Sequence, residues 1–148
     1  MKIIVCIDER GGMAFNRRRQ SRDARVSEDV LRTACGRLVV YPYSVRLLEE
    51  AVSALAPATD VVGGAAAFRV SEDALGECGE DEYVLVEDRA IGGYAERADG
   101  MIIYNWNRHY PADLRLDVSP AALGMRLISR DELVGRAHER ITKEVYGK

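Results

Sequence analysis

Five arginines fall within nine positions, at 17, 18, 19, 22 and 25, directly after the apolar run and glycine pair of IIVCIDERGGMAFN, residues 3–16. Guanidinium groups meet phosphate oxygens bidentately. Arg17, Arg18, Arg19 and Arg22, with the amide of Asn16, are therefore candidates to hold a nucleotide, a phosphorylated metabolite or an RNA backbone. The competing reading is a solvated charged face, partly neutralised by Glu9, Asp23, Glu28 and Asp29. Phe15 is the loop's single aromatic. The stacking surfaces that single-stranded nucleic acid needs are thus sparse, which weakens an RNA role.

Asp29, in SEDVL, stands near a predicted helix start. A carboxylate there, facing a pocket between strands, can be pushed by burial toward general-acid or anchoring work; the simpler role is to stabilise the helix N-terminus with Glu28. NWNRHYPAD, residues 105–113, offers a further set. If it alternates, Asn105, Asn107 and His109 share one face, while Trp106, Arg108 and Tyr110 pack on the other. No metal site is expected: the histidines, His109 and His138, are distant, the cysteines, Cys6, Cys35 and Cys78, are scattered, and His138-Glu139 lacks a metalloprotease helix's second histidine. A serine or cysteine nucleophile has no motif either, since Gly-x-Ser-x-Gly is absent and Cys6 sits in an apolar run. The pairs Gly11-Gly12, Gly63-Gly64 and Gly92-Gly93 form no phosphate-loop pattern and read as turns, with Gly63 and Gly64 the pair best placed to face a ligand.

Alternating strands and helices must position these groups. KIIVCI, residues 2–7, reads as a central strand covered on both faces. A helix is predicted over 27–34, with Ser27 as N-cap and Gly36 as stop. RLVVY (37–41) is a second buried strand, Pro42 breaks it, and Ser44 can cap a helix over VRLLEEAVSAL. TDVVGG (59–64) is a short strand, AAFRV an extended piece before a Ser71-capped helix, and YVLVED (83–88) a further buried strand. MIIYN begins another, and GMRLISR (124–130) and ITKEVYG (141–147) close the chain as strands. The pattern predicts a three-layer α/β fold: a mostly parallel central sheet with helices on both faces and an antiparallel C-terminal edge hairpin. Ligands bind such sheets at the carboxyl ends of the strands, here the loops at 8–26, 41–44, 63–66, 87–90 and 104–113.

With 148 residues and 47% hydrophobic content, the chain is expected to form one domain, residues 1–148. A net charge of −3 is too small for whole-surface attraction to nucleic acid or anionic lipid. No apolar stretch approaches the roughly 20 residues of a membrane span, no signal peptide is visible, and unpaired cysteines suit a reducing compartment. A cytoplasmic protein is expected.

In order and spacing these pieces resemble the dihydrofolate reductase family. IIVCIDERGGMAFN is similar to the family's opening strand and turn, VSEDVLRTACGRLVVYPYSVRLLEE to its helix, turn, strand and helix, and LISRDEL with ITKEVYGK to its closing hairpin. The likeness spans roughly 120 residues, without one strong motif. It implies that Asp29 matches the carboxylate that binds the pterin and helps deliver a proton, and that Tyr104 falls where a threonine supports that carboxylate. It also implies a cofactor side formed by Ser44, whose hydroxyl would meet a phosphate, with Gly63 and Gly64. NADPH is the cofactor so implied, on degraded motifs: Tyr41-Pro42-Tyr43-Ser44 replaces a glycine-arginine-x-threonine, Glu87-Asp88 a glycine pair, and Gln20-Ser21 a proline-tryptophan. Two carboxylates in place of glycines repel a pyrophosphate and fill its space. FNRRRQSRD also resembles a segment of small uncharacterised bacterial proteins sometimes labelled ribonuclease Z, although the H-x-H-x-D-H cluster of that enzyme is absent. The expectation is a reductase-fold pocket protein for a nucleotide or phosphorylated small molecule, an NAD(P)H-dependent reductase being its most specific form. A non-catalytic binding or regulatory module is the alternative, and RNA binding or processing through residues 17–25 the third.

Overall fold

The structure is a computed structural model and describes residues 1–55 and 67–148. Among the described residues, two sheets carry it. The larger runs β5-β4-β6-β1-β7-β10-β9, built from β1 (Lys2–Ile7), β4 (Leu38–Val40), β5 (Phe68–Val70), β6 (Tyr83–Leu85), β7 (Gly100–Asn105), β9 (Arg126–Leu133) and β10 (Ile141–Gly147). Its first five strands in that order pair in parallel, whereas β10 runs antiparallel to both β7 and β9. The smaller sheet joins β2 (Gly12–Phe15), β3 (Arg18–Arg19) and β8 (Leu114–Arg115).

Strand alternation divides the core in two. Ile4, Leu85, Ile102 and Tyr104 face α1 (Ala24–Ala34) and α2 (Val45–Leu55), whereas Ile3, Val5, Val84, Met101 and Ile103 face α3 (Ala74–Glu77) and irregular chain. Both faces of the central strands are dry, which is why KIIVCI lacks a polar alternation. The predicted layers and closing hairpin are those observed, and α2 and β10 occupy the predicted stretches.

Several local expectations are corrected. Helix α1 starts one turn before Ser27: Asp23 is the N-cap and accepts from Arg25 N, so Glu28 and Asp29 lie beyond the first turn. The helix ends at Cys35, which takes a left-handed φ of 47°, with Gly36 following at 82°. Residues 12–19 form a hairpin, not a loop, turning through Asn16 and Arg17, both at positive φ as a two-residue turn of matching twist requires. Ser71 does not cap α3: the N-cap is Asp73, whose N–H donates to the Ser71 hydroxyl. Residues 105–113 do not alternate as a strand, because β7 ends at Asn105 and Asn107 turns the chain at φ 57°. The predicted strand over 59–64 and the pair Gly63-Gly64 lie outside the described residues.

Candidate functional site

At the carboxyl ends of β1, β6 and β7, the side chains of Cys6, Glu87 and Trp106 continue the sheet face that α1 and α2 cover. The helices leave a narrow cleft there. Its free volume is about 20 Å³, little more than one water molecule occupies, between an apolar wall (Val26, Val30, Leu47, Leu48) and a polar rim (Ser21, Arg22).

Glu87 closes one side of the cleft. Its buried carboxylate accepts from the Ser44 hydroxyl at 2.6 Å and from the Arg19 guanidinium at 2.8 and 3.0 Å. Arg19 is held further, its N–H donating to the Tyr43 hydroxyl at 2.7 Å and its guanidinium lying 4.6 Å from that ring's centre. Burial, reinforced by the nearby Glu87 charge, pushes the Cys6 thiol far above its usual range.

The other arginines divide by position. Arg22 stands at the cleft mouth and pairs with Glu50, both more than half exposed. Arg17 and Arg18 are exposed at the hairpin tip, where Asn16 N–H donates to Asp113 at 3.0 Å. Asp29 and Tyr104 meet: the phenol donates to Asp29 Oδ2 at 2.6 Å, and Lys143 Nζ lies 2.7 Å from the same oxygen. Burial and the adjacent carboxylate raise the Tyr104 phenol well above its usual range. Neither residue is among those that line the cleft.

A second constellation at the mouth has no counterpart in the sequence reading. Asp23 is 3% exposed and accepts the N–H groups of Arg25, Arg136, Ala137 and His138, besides His138 Nδ1 at 3.0 Å. Burial alone would raise its pKa, but these donors outweigh burial and bring it to about 2. On its other edge, His138 Nε2 lies 2.9 Å from Ser21 Oγ and 3.1 Å from the Tyr110 hydroxyl, and the ring stacks on Trp106 with centres 4.7 Å apart. Gly135 lets the segment close over Asp23, since a Cβ there would come within 2.6 Å of Asp23 Oδ2. His109, the other histidine, is exposed. Among the described residues, no group of three or more His, Cys, Asp or Glu side chains could hold a metal ion. No described helix is long and apolar enough to cross a membrane.

No family model matches the sequence, and no curated protein matches it. Among solved structures, a dihydrofolate reductase from Enterococcus faecalis, complexed with NADP(H) and RAB-propyl, matches with a TM-score of 0.62 over 99% of this chain and 94% of its own, at 11% identity. The chain has a dihydrofolate reductase-like fold. The segment likeness to proteins labelled ribonuclease Z finds no support in these comparisons. The reductase-like fold raises the question of a dinucleotide, and the described residues do not fit one. Where backbone would have to approach a pyrophosphate, Glu87 fills the end of β6 and takes up the Ser44 hydroxyl and Arg19, and Arg89 covers the Tyr41 ring at 3.5 Å.

Proposed function

We propose that this chain is a small-molecule-binding protein on a reductase-like scaffold, taking a nucleotide or other phosphorylated ligand of less than dinucleotide size. The observation that carries this reading is the cleft at the carboxyl ends of β1 and β6, with an apolar wall inside and one exchangeable cation at the mouth. Val26, Leu48 and Trp106 are buried and closed together, so a planar or aliphatic moiety enters between them only as α1 and α2 part. The phosphate meets Arg22, whose exposed pair with Glu50 is worth no more than about 1 kcal/mol and yields to a doubly charged group. Asn16, Arg17 and Arg18 serve as an outer electrostatic rim, while Ser44 and Arg19 act through Glu87 in shaping the wall. Asp29 and Tyr104 act from behind α1, with Lys143, by fixing the helix that forms the wall.

A thermal-shift series tests this reading, because a ligand that binds only the folded state raises its melting temperature. Mononucleotides and phosphorylated metabolites are expected to raise Tm, NADPH to leave it unmoved, and Arg22→Ala or Leu48→Trp to abolish the gain. Shifts that persist in both variants, or no shift with any phosphorylated compound, overturn it. A shift with NADPH overturns its size limit.

A further inference from the structure

We infer that Ser21, His138 and Asp23 form a nucleophile, base and positioning carboxylate for acyl transfer, acting on an ester of a small apolar acyl group. The inference rests on the cleft being the ligand site, because Ser21 and Asp23 line it. The geometry is that of an activated hydroxyl: Ser21 Oγ to His138 Nε2 at 2.9 Å, and His138 Nδ1 to Asp23 Oδ2 at 3.0 Å.

Hydrogen-bond accounting supports these roles. A carboxylate can only accept, so Asp23 draws the imidazole proton to Nδ1 and leaves Nε2 as an acceptor. That nitrogen has one lone pair in the ring plane, yet two hydroxyls approach it, from Ser21 and from Tyr110. One of them is therefore free to donate elsewhere. With Ser21 bound to Nε2, the Tyr110 hydroxyl is the donor left over for a developing oxyanion. Burial holds the ring in place: His138 is 5% and Trp106 3% exposed, and their stacking gives a forming imidazolium an aromatic face as well as a carboxylate.

The step balances with water as co-reactant. Ser21 Oγ attacks the acyl carbonyl carbon as its proton passes to Nε2, and the carbonyl oxygen becomes the oxyanion met by Tyr110. On collapse the ester C–O bond breaks, the departing alcohol takes the proton from Nε2, and acyl-Ser21 remains. Water then adds to that acyl group, giving its proton to Nε2. When the tetrahedral adduct breaks, the proton returns to Ser21 Oγ and a carboxylic acid leaves. The acyl group reaches Val26, Val30 and Leu48, which are closed together in this structure, as the α1–α2 wall parts, and an alcohol bearing phosphate faces Arg22.

The test uses the full chain with two probes, an alkyl fluorophosphonate and p-nitrophenyl butyrate. One fluorophosphonate per chain is expected, mapped to Ser21 by peptide mass spectrometry, with a burst of one equivalent of p-nitrophenolate. Ser21→Ala, a small change at a half-buried site, should lose both at unchanged Tm, and Ser21→Cys should restore acylation. Asp23→Asn should slow acylation by ~10²-fold or more, as expected when a base loses its orienting carboxylate. Its rate should climb with pH without the plateau of the parent, hydroxide replacing the imidazole; a merely structural Asp23 leaves the profile's shape unmoved. Overturning results are an unlabelled folded parent, labelling of Ser21→Ala at the parent rate, or an unchanged profile in Asp23→Asn. Phosphorylated ligands that raise Tm without any labelling of Ser21 defeat this inference and leave the binding reading standing. Labelling of Ser21 with no Tm gain from any phosphorylated compound defeats the phosphate reading instead.

Discussion

The Tyr104 hydroxyl donates to Asp29 Oδ2 at 2.6 Å, joining β7 to α1 across 75 positions of chain. Lys143, from β10, meets the same oxygen at 2.7 Å and donates to Thr33 at 2.9 Å. One carboxylate thus ties a helix to two strands. Removing only the phenol oxygen, in Tyr104→Phe, leaves the ion pair and should cost about 1 kcal/mol. Lys143→Met removes the closest cation from a largely buried carboxylate and should cost more, about 2–3 kcal/mol. Urea midpoints at constant m-value check the order; equal losses would contradict it.

Glu87 should behave as a buried acceptor with two committed donors. In Glu87→Gln, Arg19 keeps at most one good hydrogen bond and its charge is left partly buried. A loss of about 3 kcal/mol is expected. Denaturation curves of Glu87→Gln and Arg19→Met measure it, and the double variant should recover part of the loss, because neither charge is then stranded. Additive losses would mean that the pair is not coupled.

The Asp23 carboxylate has a folded-state pKa of about 2 against a usual 3.8, so its interactions stabilise the charged form. That contribution is fully present above about pH 4 and is lost as pH falls through 2. From the size of the shift it amounts to about 2 kcal/mol. Asp23→Asn should flatten the stability profile in this acid window, as followed by chemical denaturation at each pH. A profile as steep as the parent's would assign the acid loss to other carboxylates.

The three thiols should separate by burial. Cys35 is exposed at the end of α1, whereas Cys78 is buried with its thiol pushed up to about 11, and Cys6 is held higher still beside Glu87. An aromatic disulfide reagent at pH 8 should react rapidly with one thiol per chain, absent in Cys35→Ser, and with all three after denaturation. A second rapid thiol in the native state that disappears in Cys6→Ser would show that the cleft opens at Cys6.

The layers were readable because burial on both faces leaves a plain signature: KIIVCI and GMIIYN carry continuous apolar runs, and VRLLEEAVSAL keeps helical spacing up to Leu55. SEDV has the local form of a helix entry, which conceals the true start of α1 at Ala24. Asp23 prevails since its carboxylate also receives three N–H groups from residues 136–138, contacts made 113 or more positions away. The same distance hides the Ser21–His138 pair, for which no spacing rule exists; the available hints were Gly135 and an aspartate two residues after a serine. Glu87 was misleading in another way. YVLVED reads as buried strand through Asp88, whereas β6 ends at Leu85 and tertiary donors, not strand pairing, hold Glu87 inside.

The placement of β1 bears on how the molecule is made. It is the first strand in the chain, yet it sits mid-sheet between β6 at residues 83–85 and β7 at 100–105. At ribosomal speed, on the order of 5–15 s separates its synthesis from that of its earlier neighbour. During that interval Ile3, Ile4 and Val5 form a nascent, sticky edge with nothing native to pair with. Assembly of the sheet must therefore wait for distant chain, which favours slow folding.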